Sequence, residues 1–185
     1  SLNDFLLENS INELITDESF SKNKITKDDL LKSIAHFRRH KVYLDNLERS
    51  GMDIRILNII IPILGELEDL NISKLEKASI KEIKRLKTEK PLDDYICRKD
   101  SSGSLTFSVK NQGRIKDTII TSKSLESQLL QKAVKEYSIS IDKLNFPLIL
   151  ESKSGEKYEF INLDLLLDKL SEIGKKGYSI QRYKG

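Results

Sequence analysis

The chain has 185 residues, 38% apolar and 33% charged, with one cysteine and no tryptophan. Leu, Ile, Val and Phe contribute 59 residues, which suits one large domain or two small ones and is too many for a disordered chain. A net charge of +3 excludes a strongly basic DNA-coating protein, and the lone Cys97 excludes an intrachain disulfide or a zinc site built on several thiolates.

The longest apolar run, 54–64, is broken by Arg55, Asn58 and Pro62 and falls far short of the roughly 20 residues that cross a bilayer. No membrane partner is expected, and a reducing cytoplasmic setting is. The chain starts at Ser1 without an initiator Met and stops at Gly185, so it reads as a piece of a longer protein. Charge is uneven: residues 71–123 hold 13 cations against 7 anions.

In chain order, apolar residues from Leu2 to Leu14 recur near a 3.6 period with Asn9-Ser10 as a break, predicting a short helix and then a turn or strand. Residues 16–24 are polar and read as a loop. Thr26 with Asp28 and Asp29 is an N-cap signature, opening a long helix with a stripe of Leu30, Leu31, Ile34, Phe37, Leu44 and Leu47 that Ser50-Gly51 ends. Residues 53–61 suit a short buried helix between Gly51 and Pro62, with a strand as the alternative. Residues 73–90 form a lysine-rich surface helix that Pro91 closes.

The period then falls to two. Strands near 95–98, 105–109 and 115–121 describe an antiparallel meander with one face buried and the other wet. Ser122 or Ser124 caps a helix with the stripe Leu125, Leu129, Leu130, Ala133, Val134 and Tyr137. A hairpin follows at 148–151 and 157–161 around Ser154-Gly155. Asn162 caps a leucine-rich helix that Gly174 stops, and Tyr178 to Tyr183 reads as a final strand. The fold class is α+β, with a helical N-terminal half and, in the C-terminal half, an antiparallel meander and hairpins with packed helices.

His36 and His40 have the i, i+4 spacing of a metal pair, but Arg38, Arg39 and Lys41 around them repel a divalent cation. The segment reads as a basic helix face, which either touches phosphate or an acidic partner or is simply solvated. Lys81, Lys84, Arg85 and Lys87 make a second basic face on the 73–90 helix. Cys97 beside Arg98 and Lys99 is either a thiol with lowered pKa or a small packed residue. Asp28-Asp29, Asp93-Asp94 and the Asp164/Asp168 pair are explained by a cap, a loop and a helix start. Gly174-Lys175-Lys176-Gly177 is either a small anion nest or a helix stop. No phosphate loop, dinucleotide fingerprint, serine elbow or Asp-x-Asp pair occurs, so no catalytic residue, metal ligand or cofactor is assigned to this chain.

The last eleven residues, 175–185, ending in Gln181-Arg182-Tyr183-Lys184-Gly185, resemble the segment of bacterial DNA gyrase B that re-enters its TOPRIM domain. Thr118 to Thr121, the helix from Leu125 and the leucine-rich helix before Gly174 are similar to the C-terminal half of the insert that splits that domain in many gyrases. Leu2 to Thr16 resembles the TOPRIM chain leading into the insert, and Phe37 to Leu57, with Leu47-Glu48-Arg49, an early insert helix pair. The resemblance implies a TOPRIM flank at 1–16, the insert at 17–161 (helical over about 17–92, α+β over about 93–161) and a helix and strand returning to TOPRIM at 162–185.

The parent implied is a type II topoisomerase that cuts, passes and reseals duplex DNA using ATP and Mg2+. Its Glu-Gly-Asp-Ser and Asp-x-Asp motifs are absent from this chain, and its nucleophilic tyrosine belongs to the partner protein, gyrase A. The resemblance therefore implies a noncatalytic module, with weak, nonspecific contact to duplex DNA and with gyrase A and other gyrase B domains as partners. Gln181, Arg182, Tyr183 and Lys184, with Lys175 and Lys176, are its DNA-contact candidates, beside Arg38, Arg39, Lys41 and the cations Lys81, Lys84, Arg85 and Lys87. The alternative is a docking module that touches protein and no DNA.

Overall fold

A computed structural model describes residues 3–89 and 93–184, with side chains up to Gly177 in the last helix. In chain order the elements are α1 (Asp4–Leu14), α2 (Asp17–Lys22), α3 (Lys27–Arg49), α4 (Ile54–Glu66), α5 (Ile72–Glu89), β1 (Asp94–Lys99), β2 (Leu105–Asn111), β3 (Arg114–Ile120), α6 (Ser122–Leu125), α7 (Gln128–Ile141), β4 (Leu148–Glu151), β5 (Lys157–Phe160) and α8 (Leu163–Lys184). The protein is α+β, with helices filling the N-terminal half and antiparallel strands followed by helices in the C-terminal half. Among the described residues no helix is long and apolar enough to cross a membrane. The chain divides into two units, one of residues 38–139, inner in sequence, and an outer one of 1–37 with 140–185.

In the outer unit α1 is one unbroken helix. Asn3 caps it by accepting the Leu6 N–H at 2.9 Å, and the suspected break at Asn9-Ser10 is bridged because the buried Ser10 hydroxyl donates back to the Leu6 carbonyl at 2.7 Å. The expected loop at 16–24 contains α2. Thr16 accepts the Ser19 N–H at 3.1 Å, Asp17 and Glu18 occupy the first turn where the helix dipole favours them, and Phe20 is buried. This small helix covers the open edge of β4. The Thr16 N–H donates to the Glu151 carbonyl (3.1 Å), the Asn23 amide donates to the Ile149 carbonyl (2.8 Å), and Ser19 Oγ accepts the Glu151 N–H (3.0 Å). At α3, Thr26 and Asp29 cap reciprocally, each side chain accepting the other's backbone N–H at 3.0 Å, as the sequence predicts.

The end of the chain departs from expectation. Gly174 does not stop α8, and the strand expected at 178–183 is instead the last two turns of that helix. Helical glycine costs about 1 kcal/mol against alanine. Here α1 packs along α8, with Gly174 buried and bordering α1, so the tertiary packing of the helix offsets the propensity.

In the inner unit α4 is buried at Ile56, Leu57, Ile59, Ile60, Ile61 and Leu64. It runs a turn beyond the expected stop at Pro62. The carbonyl that loses its helical donor there belongs to the exposed Asn58, and the continuation buries Leu64. β1, β2 and β3 form the antiparallel meander, with the two-residue turn Gln112-Gly113 at φ +50 and +78 joining β2 to β3. One face, with Tyr95, Cys97, Leu105, Phe107, Val109 and Ile120, shares a core with α4, α5 and α7. Helices α4 and α5 and the strands of the meander therefore share one core within the inner unit. Pro91 lies outside the described residues.

The other face is not simply wet. Ile96, Ile115 and Ile119 are 48%, 66% and 59% exposed, whereas the small Thr106 and Ser108 between them are shielded by their larger neighbours. The helix expected after the meander is two helices. Thr121 and Ser124 cap α6 reciprocally, and α7 then carries the buried Leu130 and Ala133.

Candidate nucleic-acid interface

On α5 the buried stripe Leu75, Ser79 and Ile83 fixes which side meets solvent. Lys74, Lys77, Lys81 and Lys84 follow at i, i+3, i+7 and i+10, which places all four on an arc of about 80° over about 15 Å of helix axis. All are exposed. Lys74 meets Asp69 at 3.3 Å, while Lys77, Lys81 and Lys84 form no ion pair among the described residues. The other two sequence candidates on this helix are occupied. Arg85 donates to Glu82 (3.1 Å from Nε) and to Glu89 (2.6 Å from Nη1), and these carboxylates hold its guanidinium charged well beyond the ordinary range. Lys87 sits 3.7 Å from Asp94.

On α3 the cations of the basic segment stand in different surroundings. His40 is 4% exposed, its Nδ1 lies 2.8 Å from the Ala133 carbonyl, and its ring meets Tyr137 with centroids 5.3 Å apart. Nδ1 therefore carries the proton, and His40 is a packed core group facing α7 rather than half of a metal pair. Arg39 reaches Glu136 at 3.4 Å, and Arg38 and Lys41 are half-buried. Among the described residues no three His, Cys, Asp or Glu side chains converge as metal ligands.

Lys175 and Lys176 are exposed on α8. The Gly174 to Gly177 segment is not an anion nest, because all four residues are helical and neither glycine has a positive φ. The side chains of Gln181, Arg182, Tyr183 and Lys184 lie outside the described residues. Cys97 faces the core, where burial and the nearby Glu76 push its thiol up to about 11. The lowering that Arg98 and Lys99 suggested does not occur, since desolvation outweighs two solvated cations on the exposed part of the strand.

Sequence reading missed a polar cluster in the inner unit. Asp53, 3% exposed, caps α4 by accepting the Arg55 N–H at 2.9 Å and takes two further bonds from the Arg55 guanidinium, at 3.0 Å from Nε and 2.8 Å from Nη2. The Asp53 N–H donates to Thr118 Oγ1 at 3.3 Å, and Arg55 Nη1 lies 3.9 Å from Asp93, which also accepts from Asn111 and Tyr95. Every polar group here is paired with another, which marks a clamp between α4 and the meander. The outer unit carries an open cleft of about 520 Å³ lined by Glu13, Glu156, Tyr158, Lys169, Glu172 and Lys176 among others. Its groups also face each other: Tyr158 donates to Glu156, and Lys169 Nζ lies 4.9 Å over the Tyr158 ring and 3.7 Å from Glu172.

No protein-family model matches this sequence, and no curated protein matches it.

Proposed function

We propose that this chain is a noncatalytic module of a DNA gyrase B protein that holds duplex DNA by its phosphates through the lysine face of α5. Two independent features support the reading. The family assignment rests on the resemblance of residues 175–185. The DNA contact rests on the α5 stripe: three exposed lysines without carboxylate partners among the described residues, and a fourth with a single exposed one. DNA presents one phosphate per 3.4 Å in each strand, so a 15 Å cationic row meets several, and such contacts carry no base information.

Fluorescence anisotropy of the chain with a labelled duplex tests the contact. Affinity should fall with salt at a log–log slope of about −3, since each neutralised phosphate contributes about −0.9. Reversing Lys77, Lys81 and Lys84 to Glu should remove binding while leaving the thermal melt unchanged, because these side chains touch no core. Binding insensitive to salt or to this triple reversal refutes it. The family assignment is tested separately by the coding sequence on either side, where Glu-Gly-Asp-Ser upstream and Leu-Gly-Glu-Met downstream support it and their absence removes it.

A docking function without DNA contact has its own support in the exposed isoleucines of the meander. Under that reading the lysine reversal changes no partner affinity.

A further inference from the structure

The outer face of the meander is a three-by-three array. The strand register places Arg98, Thr106 and Ile119 in one row, Ile96, Ser108 and Asp117 in the next, and Asp94, Lys110 and Ile115 in the third. Three exposed isoleucines on so small a face are a surface that burial would stabilise. The charges say what fits it.

We infer that a second copy of this chain docks on this face, related by a twofold axis that lies in the plane of the sheet and perpendicular to its strands. That operation keeps each strand over its own counterpart and exchanges the outer rows. Arg98 then meets Asp94 of the other copy, Ile119 meets Ile115, and Ile96 meets itself, so opposite charges and apolar groups pair throughout β1 and at both ends of β3. The other in-plane twofold, along the strands, sets Arg98 on Ile119, Ile96 on Asp117 and Asp94 on Ile115, joining a charge to an isoleucine in every case. The array thus selects one symmetry.

One juxtaposition opposes the selected arrangement, since Asp117 faces its own mate. Ser108 Oγ donates to Asp117 at 2.6 Å, and Lys110 lies one diagonal away, about 7–8 Å, which moderates the repulsion. Three strands at about 4.8 Å spacing and five residues of about 3.4 Å rise give a face of roughly 14 by 17 Å. That is well below the roughly 800 Å² per partner of a stable complex, so the dimer is a weak one, formed at high chain concentration.

Sedimentation equilibrium of the whole chain, from micromolar to about 1 mM, tests this. Wild-type protein should show reversible dimerisation. R98D places two like-charge pairs across the axis and should weaken association roughly tenfold at low salt, and the double swap D94R/R98D should restore it. Asp94 also lies 3.7 Å from Lys87 and opposite Lys110 of its own chain, so the double swap is compared with D94R alone, which carries the same repulsion within the chain, and a tighter dimer for the double swap isolates the pair across the axis. D117N should strengthen association severalfold, and I119K should abolish it with the far-UV circular dichroism unchanged. A chain that stays monomeric to 1 mM overturns the inference. So does a dimer indifferent to R98D and I119K, or a double swap that associates no more tightly than D94R alone.

Discussion

Asp53 offers a perturbation whose parts can be separated. Its carboxylate accepts a backbone N–H that would otherwise be unpaired at the start of α4, and it also receives two charge-assisted bonds from Arg55. Replacing it by alanine removes both. Loss of the cap costs about 1 kcal/mol, and loss of the charged pair about 1–2 kcal/mol more, at the low end because Arg55 is one-third exposed and keeps Asp93 nearby. Asp53→Ala should therefore cost about 2–3 kcal/mol. Asp53→Asn keeps an acceptor for the cap and should cost about half as much. Urea unfolding followed by circular dichroism measures both, and the midpoint should move without a change in slope.

The Arg55 hydrogen bond, against the opposing effect of burial, holds the Asp53 carboxyl below its ordinary range. A depressed folded-state pKa stabilises above the unfolded value of about 3.9 and loses that contribution as pH falls through the folded value. The gap between wild type and Asp53→Asn should thus be constant above about pH 5 and narrow progressively as pH falls below about 4. Equal costs for the Asn and Ala variants, or a gap that does not narrow as pH falls below about 4, would refute the division of labour argued for this residue.

Cys97, at about 11 against a reference of 9.0, should be alkylated by iodoacetamide about 100-fold more slowly than an unperturbed cysteine at pH 8, and denaturant should abolish the difference. A Cβ at Gly65 would lie 2.5 Å from Ser138 Oγ, the hydroxyl that donates to the Val134 carbonyl at 2.9 Å. Gly65→Ala should consequently gain little stability on its own, while Gly65→Ala with Ser138→Ala should gain up to about 1 kcal/mol in a thermal melt.

Local chemistry made much of the fold legible. Thr26, Asp28 and Asp29 announce α3, Gln112-Gly113 the β2–β3 turn, and Asn162 the start of α8, because each acts on backbone within three residues of itself. The errors came where a distant partner decided the outcome. Gly174 reads as a stop until α1 is laid against it, and 16–24 reads as a loop until Thr16, Ser19 and Asn23 are seen to bond the edge of β4, more than 120 residues away. The insertion of one unit into the sequence of the other is likewise a property of contacts rather than of composition, since the helical segment and the strands that share its core differ in every local signal.

The same distinction governs the candidate site. Counting cations treats Lys81, Lys84, Arg85 and Lys87 alike, whereas a cation's availability depends on which carboxylates reach it. Arg85 has the residue type best suited to a phosphate, yet Glu82 and Glu89, three before and four after it, already occupy its guanidinium. That pairing was readable from spacing alone. So was the alignment of Lys74, Lys77, Lys81 and Lys84, which needs only the period of the helix. What the sequence withheld was the fate of the α3 cluster, where His40 turns inward to Ala133 and Tyr137 and Arg39 reaches Glu136, both nearly a hundred residues on. A basic run on a helix becomes a binding face only when tertiary packing leaves it outside, and α5 meets that condition more fully than the centre of α3, where His40 is buried and Arg38 and Lys41 are half-buried.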